Sequence, residues 1–209
     1  MASAPLKSPL LESTEGFYER NATRYAESTL HVDMSGLYSH FLRYLPEHAR
    51  ILDAGSGSGR DTLAFQQLGY SVDAFDASNA LCLFSSHLTG RKTRHLQFQE
   101  FSSPPIYDGI WACASLLHVQ KSELQNCVQR LLQALQSGGV MYISFKYGMG
   151  ERVSADGRYY FDMDEHKLRR LIDTFADVSI QELWRWTPQQ DIGDADEWLN
   201  VIVRKDGSA

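Results

Sequence analysis

Arg50-Ile51-Leu52-Asp53-Ala54 is a short apolar run that stops abruptly in Gly55-Ser56-Gly57-Ser58-Gly59. Three glycines at alternate positions after a strand-like run demand a tight strand-to-helix loop, because glycine alone adopts positive φ without strain and lets the backbone approach a ligand closely. Arg60 to Leu68 then places Leu63, Ala64 and Leu68 on one helical face, Gly69 stands at the C-cap, and Ser71-Val72-Asp73-Ala74-Phe75-Asp76 alternates like a strand. The unit is β-α-β, and three glycines in five residues favour a ligand-binding loop over a plain strand-to-helix turn that needs several positive φ angles.

The same alternation continues. Ser78 or Asn79 caps a helix to about His87, His95-Leu96-Gln97-Phe98-Gln99 reads as a third strand, and residues 108–114 as a fourth. Ser122-Glu123-Leu124-Gln125 has the capping-box pattern. Leu124, Cys127, Val128, Leu131, Leu132 and Leu135 follow at helical spacing as far as Gly138-Gly139, and residues 140–145 make a fifth strand. Residues 146–158 read as a polar loop, and Asp162 to Glu165 as a second capping box before a helix carrying Leu168, Leu171, Ile172 and Phe175. Residues 178–186 and 198–203 are the last strands, and the polar link 187–196 is too short for a crossover, so they pair antiparallel. Before all this, residues 14–28 and the spacing of Leu37, Phe41 and Tyr44 give two N-terminal helices. The expectation is an α/β fold: a doubly wound, seven-stranded, mostly parallel sheet with an antiparallel pair at one edge. The chain divides into a flexible leader, 1–13, one domain over 14–205 with a helical lid at about 14–45, and a tail, 206–209.

In such sheets ligands bind beyond the carboxyl ends of the strands. Asp76 ends the second strand 23 residues after Asp53, close to the roughly 20-residue spacing at which a carboxylate holds both ribose hydroxyls. A nucleoside-bearing cofactor follows. The dinucleotide fingerprint G-x-G-x-x-G/A fails, since Arg60 stands at its last position, and the acid Asp53 beside the loop repels a pyrophosphate while suiting a cationic amino group. Tyr142 and Lys146 match the Y-x-x-x-K of short-chain nicotinamide-dependent oxidoreductases, but they lie in a strand-like run instead of a helix. That alternative ranks second, together with a binding module that holds the cofactor without chemistry.

Leu52 to Asp61, Val72 to Ser78, Tyr107-Asp108-Gly109-Ile110-Trp111-Ala112-Cys113-Ala114-Ser115-Leu116-Leu117-His118-Val119, and Gly138-Gly139 before a strand together resemble the class I S-adenosylmethionine-dependent methyltransferases, with their Rossmann-like fold. Within them the likeness is greatest to the small bacterial tellurite-resistance-type and other small-molecule enzymes, over about residues 15–203. The resemblance implies S-adenosylmethionine as cofactor. It places Asp53, Gly55, Gly57, Gly59 and Ala114 around the methionine moiety, Asp76 on the ribose, and Ala77, Glu100 and Phe101 at adenine. It also matches Tyr18 and Tyr25 to aromatic positions of a closing N-terminal helix, with Arg24 a candidate for the carboxylate. The tyrosines fit ordinary helix packing equally well.

Methyl transfer from a sulfonium needs alignment in a dry pocket, and a base only when the acceptor must lose a proton. His118 is the candidate base, although a structural histidine at a strand end reads the same; Tyr147 is the candidate pocket residue. The other histidines and Cys82, Cys113 and Cys127 have no ligand spacing, so no metal is expected. With 26 acidic against 20 basic residues the net charge is −6, which disfavours nucleic acid. The apolar runs are too short to span a bilayer. A cytoplasmic, bacterial monomer or homodimer acting on a small molecule is the reading.

Overall fold

A computed structural model describes residues 9–187 and 197–207, with side chains from Thr14 onward. Its centre is a seven-stranded sheet in the order β3-β2-β1-β4-β5-β9-β8. The strands are β1 (Arg50–Ala54), β2 (Ser71–Asp76), β3 (Arg94–His95), β4 (Tyr107–Ala112), β5 (Leu135–Lys146), β8 (Val178–Trp186) and β9 (Trp198–Lys205). Five run parallel, and β9 is antiparallel to both β5 and β8. The expected doubly wound architecture with its antiparallel edge is therefore present, and β5 carries Tyr142 and Lys146 in a strand. Most of the link expected at 187–196 lies outside the described residues, as do the start of the leader and the end of the tail.

Alternation along each strand splits the core between the two faces of the sheet. Leu52, Ile110, Met141, Ile143, Val201 and Val203 pack on one face with Leu124, Val128 and Leu131 of α5 (Lys121–Ala134) and Leu168 and Ile172 of α6 (Glu165–Ile172). Their neighbours Ile51, Trp111, Tyr142 and Ile202 face the other way, against Leu37 and Phe41 of α2 (Ser35–Leu42) and Phe65 of α3 (Arg60–Gln67). Helix α1 (Pro9–Thr29) packs on α4 (Asn79–Thr89), where Glu19 accepts hydrogen bonds from Ser78 Oγ at 2.8 Å and Ala80 N at 3.1 Å.

Local expectations are corrected at several points. Helix α1 spans Pro9–Thr29 and so overlaps the end of the segment read as leader. The buried face of α3 is Asp61, Thr62 and Phe65, while Leu68 is exposed, because the two polar residues hold a hydrogen-bond network beneath the glycine loop. The third strand stops at His95, and Phe98–Glu100 form a single 3-10 turn whose Glu100 carboxylate reaches back to Gln97 N at 3.2 Å. Ser122 does not cap α5, which starts at Lys121 with its first N–H donated to Tyr159 Oη at 3.1 Å. Asp164 caps α6 in place of Asp162, accepting from Lys167 N at 2.8 Å. Strand β5 begins at Leu135, ahead of Gly138-Gly139. Finally, the loop at 146–158 contains half of a hairpin, β6 (Gly150–Val153) paired with β7 (Tyr159–Asp162), turning through Gly157 at φ +87°.

Candidate active site

A cavity of about 570 Å³ opens over the carboxyl ends of β1, β2, β4 and β5, and α1 and the hairpin also contribute to its wall. That volume lies within the roughly 300–1,000 Å³ of small-molecule sites. Glycine is required in the loop for two reasons. Gly55, Gly57 and Gly59 have φ of +80°, +54° and +83°. A Cβ at Gly55 would also stand 2.4 Å from Ser115 Cβ, and one at Gly59 would meet Ser85 Oγ at 2.5 Å and Ser85 Cα at 3.1 Å. At Gly57 the neighbour is the ring of Tyr25, 3.3 Å from the same hypothetical atom, so α1 lies close over bare backbone.

Four of the loop's five amide donors are engaged inside the protein. Gly55 N and Ser56 N donate to Phe75 O, Gly59 N to Ser56 O, and Gly57 N to Asp76 Oδ2 at 2.8 Å. Asp76 Oδ1 also accepts from Ser78 N at 2.9 Å, and burial raises the carboxyl's pKa against the pull of these amides. What the loop offers a ligand is a carboxylate acceptor in place of a ring of N–H donors.

Of the residues singled out from the sequence, the cavity is lined by Tyr18, Tyr25, Gly55, Gly57, Asp76, Ala77, Ala114 and His118. Asp53 lies beneath the loop, fully covered, where Thr62 Oγ1 donates to it at 2.6 Å and burial next to Asp61 raises its pKa. Gly59 serves the packing of α3 on α4. Arg24 stands on the outer side of α1 and donates to Asn21 Oδ1. Glu100 is held in its own turn and Phe101 is buried against Phe75, ring centres 5.1 Å apart; Gln97, Phe98 and Gln99 line the cavity in their place. Tyr147 lies outside the lining, under the Arg185 guanidinium at 3.8 Å and accepting from its Nη2 at 2.7 Å.

The residues that sequence reasoning missed include Ser144 of β5, Arg158 beside the hairpin's second strand and Asn200 of β9. Ala114 adopts φ +49° and donates its N–H to Ser144 Oγ at 2.8 Å. Asn200, fully buried on β9, accepts from Tyr142 Oη at 2.7 Å, and Trp186 and Trp198 stand with it in the lining. Arg158 and Tyr160 enter on the hairpin. Asp156-Gly157 followed by Tyr159-Tyr160-Phe161 is the turn-then-strand signal that marks it. Asp61 beside the cavity has four donors: Tyr38 Oη, Trp111 Nε1 at 2.8 Å, and Arg60 through Nε and Nη2. The pair Arg60 and Asp61 is thereby neutral.

Among the described residues no cluster of His, Cys, Asp and Glu suits a metal ion, and no helix is long and apolar enough to cross a membrane. In comparisons with known proteins, the chain is 24% identical over 168 residues to an uncharacterised methyltransferase of Staphylococcus carnosus, covering 79% of this chain and 81% of that one. A solved Burkholderia thailandensis 1,6-didemethyltoxoflavin-N1-methyltransferase, with bound 1,6-didemethyltoxoflavin and S-adenosylhomocysteine, superposes with TM-score 0.77 at 22% identity, over 99% of this chain and 94% of its own. The [4+2]-cyclase SpnF shares the fold at TM-score 0.73 and 13% identity, over 100% of both chains. A family model described as a methyltransferase domain matches residues 25–185, and the chain belongs to that methyltransferase family.

Proposed function

We propose that the protein transfers a methyl group from S-adenosylmethionine to a small-molecule acceptor. The observation that carries this reading is the hydrogen-bond state of the glycine loop: four amides engaged internally, and the Asp76 carboxylate left at the end of β2. A pyrophosphate needs several donors, and four of this loop's five amides are already engaged; ribose hydroxyls need an acceptor, which Asp76 supplies. The residues fit the cofactor in a second respect, since the bare backbone at Gly57 and the ring of Tyr25 make a narrow cleft. When bound, S-adenosylmethionine supplies a methyl carbon on a cationic sulfur. Tyr18 and Tyr25 exclude water, Ala77 and Phe98 present apolar surface, and Cys113, Tyr142, Ser144 and Asn200 make the wall over β4, β5 and β9 against which an acceptor is aligned. The S-adenosylhomocysteine bound in the Burkholderia relative supports the cofactor, and its bound 1,6-didemethyltoxoflavin supports a small acceptor. A soft oxyanion of the tellurite-resistance type, a thiol and a ring heteroatom are the acceptor classes to compare.

Titration calorimetry tests the cofactor: S-adenosylmethionine and S-adenosylhomocysteine bind, and NAD and NADP do not. Nicotinamide binding without sulfonium binding overturns the reading. Because the fold is shared with a cyclase, the deciding measurement for transfer is release of S-adenosylhomocysteine across thiols, heterocycles and soft anions.

A further inference from the structure

Both ring nitrogens of His118 are committed. Nδ1 lies 2.7 Å from the carbonyl oxygen of Tyr159, which can only accept, so Nδ1 carries the proton and Nε2 is the bare nitrogen. Nε2 lies 2.8 Å from Tyr18 Oη, so Tyr18 donates its hydroxyl proton there. The single lone pair by which His118 acts as a base is thus covered by Tyr18. Tyr18 Oη in turn accepts from Arg158 Nη1 at 3.3 Å, and all three side chains line the cavity. The rings are packed in this order, Tyr18 edge-on to His118 at 5.4 Å and Tyr160 tilted against it at 4.8 Å. The groups facing His118 are Tyr18 of α1, Arg158, Tyr160 and Asp156 of the hairpin, and Lys146 of β5. Burial pushes the imidazole down to about 4, so Nε2 is unprotonated at neutral pH, and burial raises the Tyr18 hydroxyl, so it keeps its proton until Nε2 takes it.

We propose that Tyr18 Oη is the atom that takes the acceptor's proton, its own proton passing to His118 Nε2 in the same event. The inference rests on the methyl-transfer reading above. As the acceptor's N or O forms its bond to the methyl carbon, the carbon–sulfur bond breaks and its electron pair stays on sulfur. The acceptor's N–H or O–H proton moves to Tyr18 Oη, and the former tyrosine proton moves to Nε2. The sulfonium's positive charge ends on the imidazole, still bonded through Nδ1 to Tyr159 O, and the ring's low proton affinity returns that proton to water. Tyr18 is then a catalytic residue and His118 acts through it. The substrate class is a nucleophile that bears a proton on the attacking atom.

The test uses the full chain bound to S-adenosylhomocysteine, with Tyr18→Phe and His118→Gln variants. Nitrogen NMR of the wild type is expected to show His118 protonated at Nδ1, hydrogen-bonded at Nε2 and titrating near pH 4, with the Nε2 hydrogen-bond shift lost in Tyr18→Phe. Transfer of labelled methyl is followed to phenol, whose attacking oxygen must lose a proton, and to pyridine, whose attacking nitrogen has none to lose. Both variants should slow the phenol reaction at least tenfold relative to the pyridine reaction, with S-adenosylhomocysteine affinity in Tyr18→Phe within threefold of wild type. Equal slowing of both probes, or His118 protonated at Nε2, overturns the relay; if neither probe is methylated by the wild type, the tautomer decides. Failure of the wild type to bind S-adenosylhomocysteine strikes the cofactor reading instead.

Discussion

Asp76 and Gly59 show how differently two residues of one motif act. Asp76 accepts from Gly57 N and Ser78 N and faces the cavity. Asp76→Ala removes a charged acceptor worth about 1.5–3 kcal/mol per hydrogen bond, so S-adenosylhomocysteine should bind at least tenfold more weakly by calorimetry. A ligand that donates to the ionised carboxylate lowers its pKa, so binding releases a proton. Affinity is therefore full above the burial-raised pKa of Asp76 and is lost as pH falls through it. Gly59 acts on folding. Gly59→Ala forces a Cβ against Ser85 at φ +83°, whereas Gly90→Ala at φ +67° meets nothing within 4 Å. The second should cost only the backbone term of about 1–2 kcal/mol, and urea unfolding should find Gly59→Ala the more destabilised. His118 adds a pH term of known sign. Its folded pKa of about 4 lies below the ordinary 6.5, so the unfolded chain binds the extra proton in between. Stability is full above about pH 6.5 and declines towards pH 4, and His118→Gln should flatten that limb of the urea midpoint against pH.

At the scale of elements, β1, its loop, α3 and β2 were legible because alternation, three glycines and the terminal acid all point one way. Where a side chain's tertiary use departed from its local pattern, the reading failed. Asp61 and Thr62 are buried polar residues that hydrogen-bond Trp111, Tyr38 and Asp53, so the buried face of α3 is invisible to apolar periodicity. The alternation at 95–99 lost to the Glu100 carboxylate, whose bond to Gln97 N bends the chain into a turn and turns Gln97 and Phe98, instead of Glu100, towards the cavity. The hairpin was missed because β6 is polar and mostly exposed on an edge, with only Asp156-Gly157 to announce it. The consequence reaches the site, because Tyr160 and the Tyr159 carbonyl arrive on β7 and Arg158 stands immediately before it. Helix α1 is held over the same site by Glu19 at the N-terminus of α4 and by Thr14 Oγ1, which accepts from Tyr159 N at 2.9 Å. Glu19→Ala removes the acceptor for Ala80 N and Ser78 Oγ, a capping loss of about 0.5–2 kcal/mol. The expected outcome is a lower urea midpoint together with weaker S-adenosylhomocysteine binding, since Tyr18 and Tyr25 ride on α1.

Over the whole molecule, strand order explains why residues from Thr14 to Asn200 meet in one cavity. The sheet reverses its winding between β1 and β4, and the crevice at that switch collects the ends of strands far apart in sequence. Charge then decides which acceptors can reach it. The chain carries −6 overall with no basic stripe. Nucleic-acid binders release counterions by neutralising phosphates, and enzymes acting on a paired base must also extrude it. Among the described residues the cavity is lined by side chains of α1 and the hairpin and by the indoles of Trp186 and Trp198. The protein should therefore transfer labelled methyl to a small acceptor at a rate nearly independent of salt between 50 and 200 mM, roughly the range over which phosphate-driven binding falls by orders of magnitude. It should label no RNA, DNA or protein pool. Robust labelling of a macromolecule, suppressed as salt rises, overturns the small-acceptor reading, because that pattern requires an electropositive approach surface that a chain of this charge distribution does not supply.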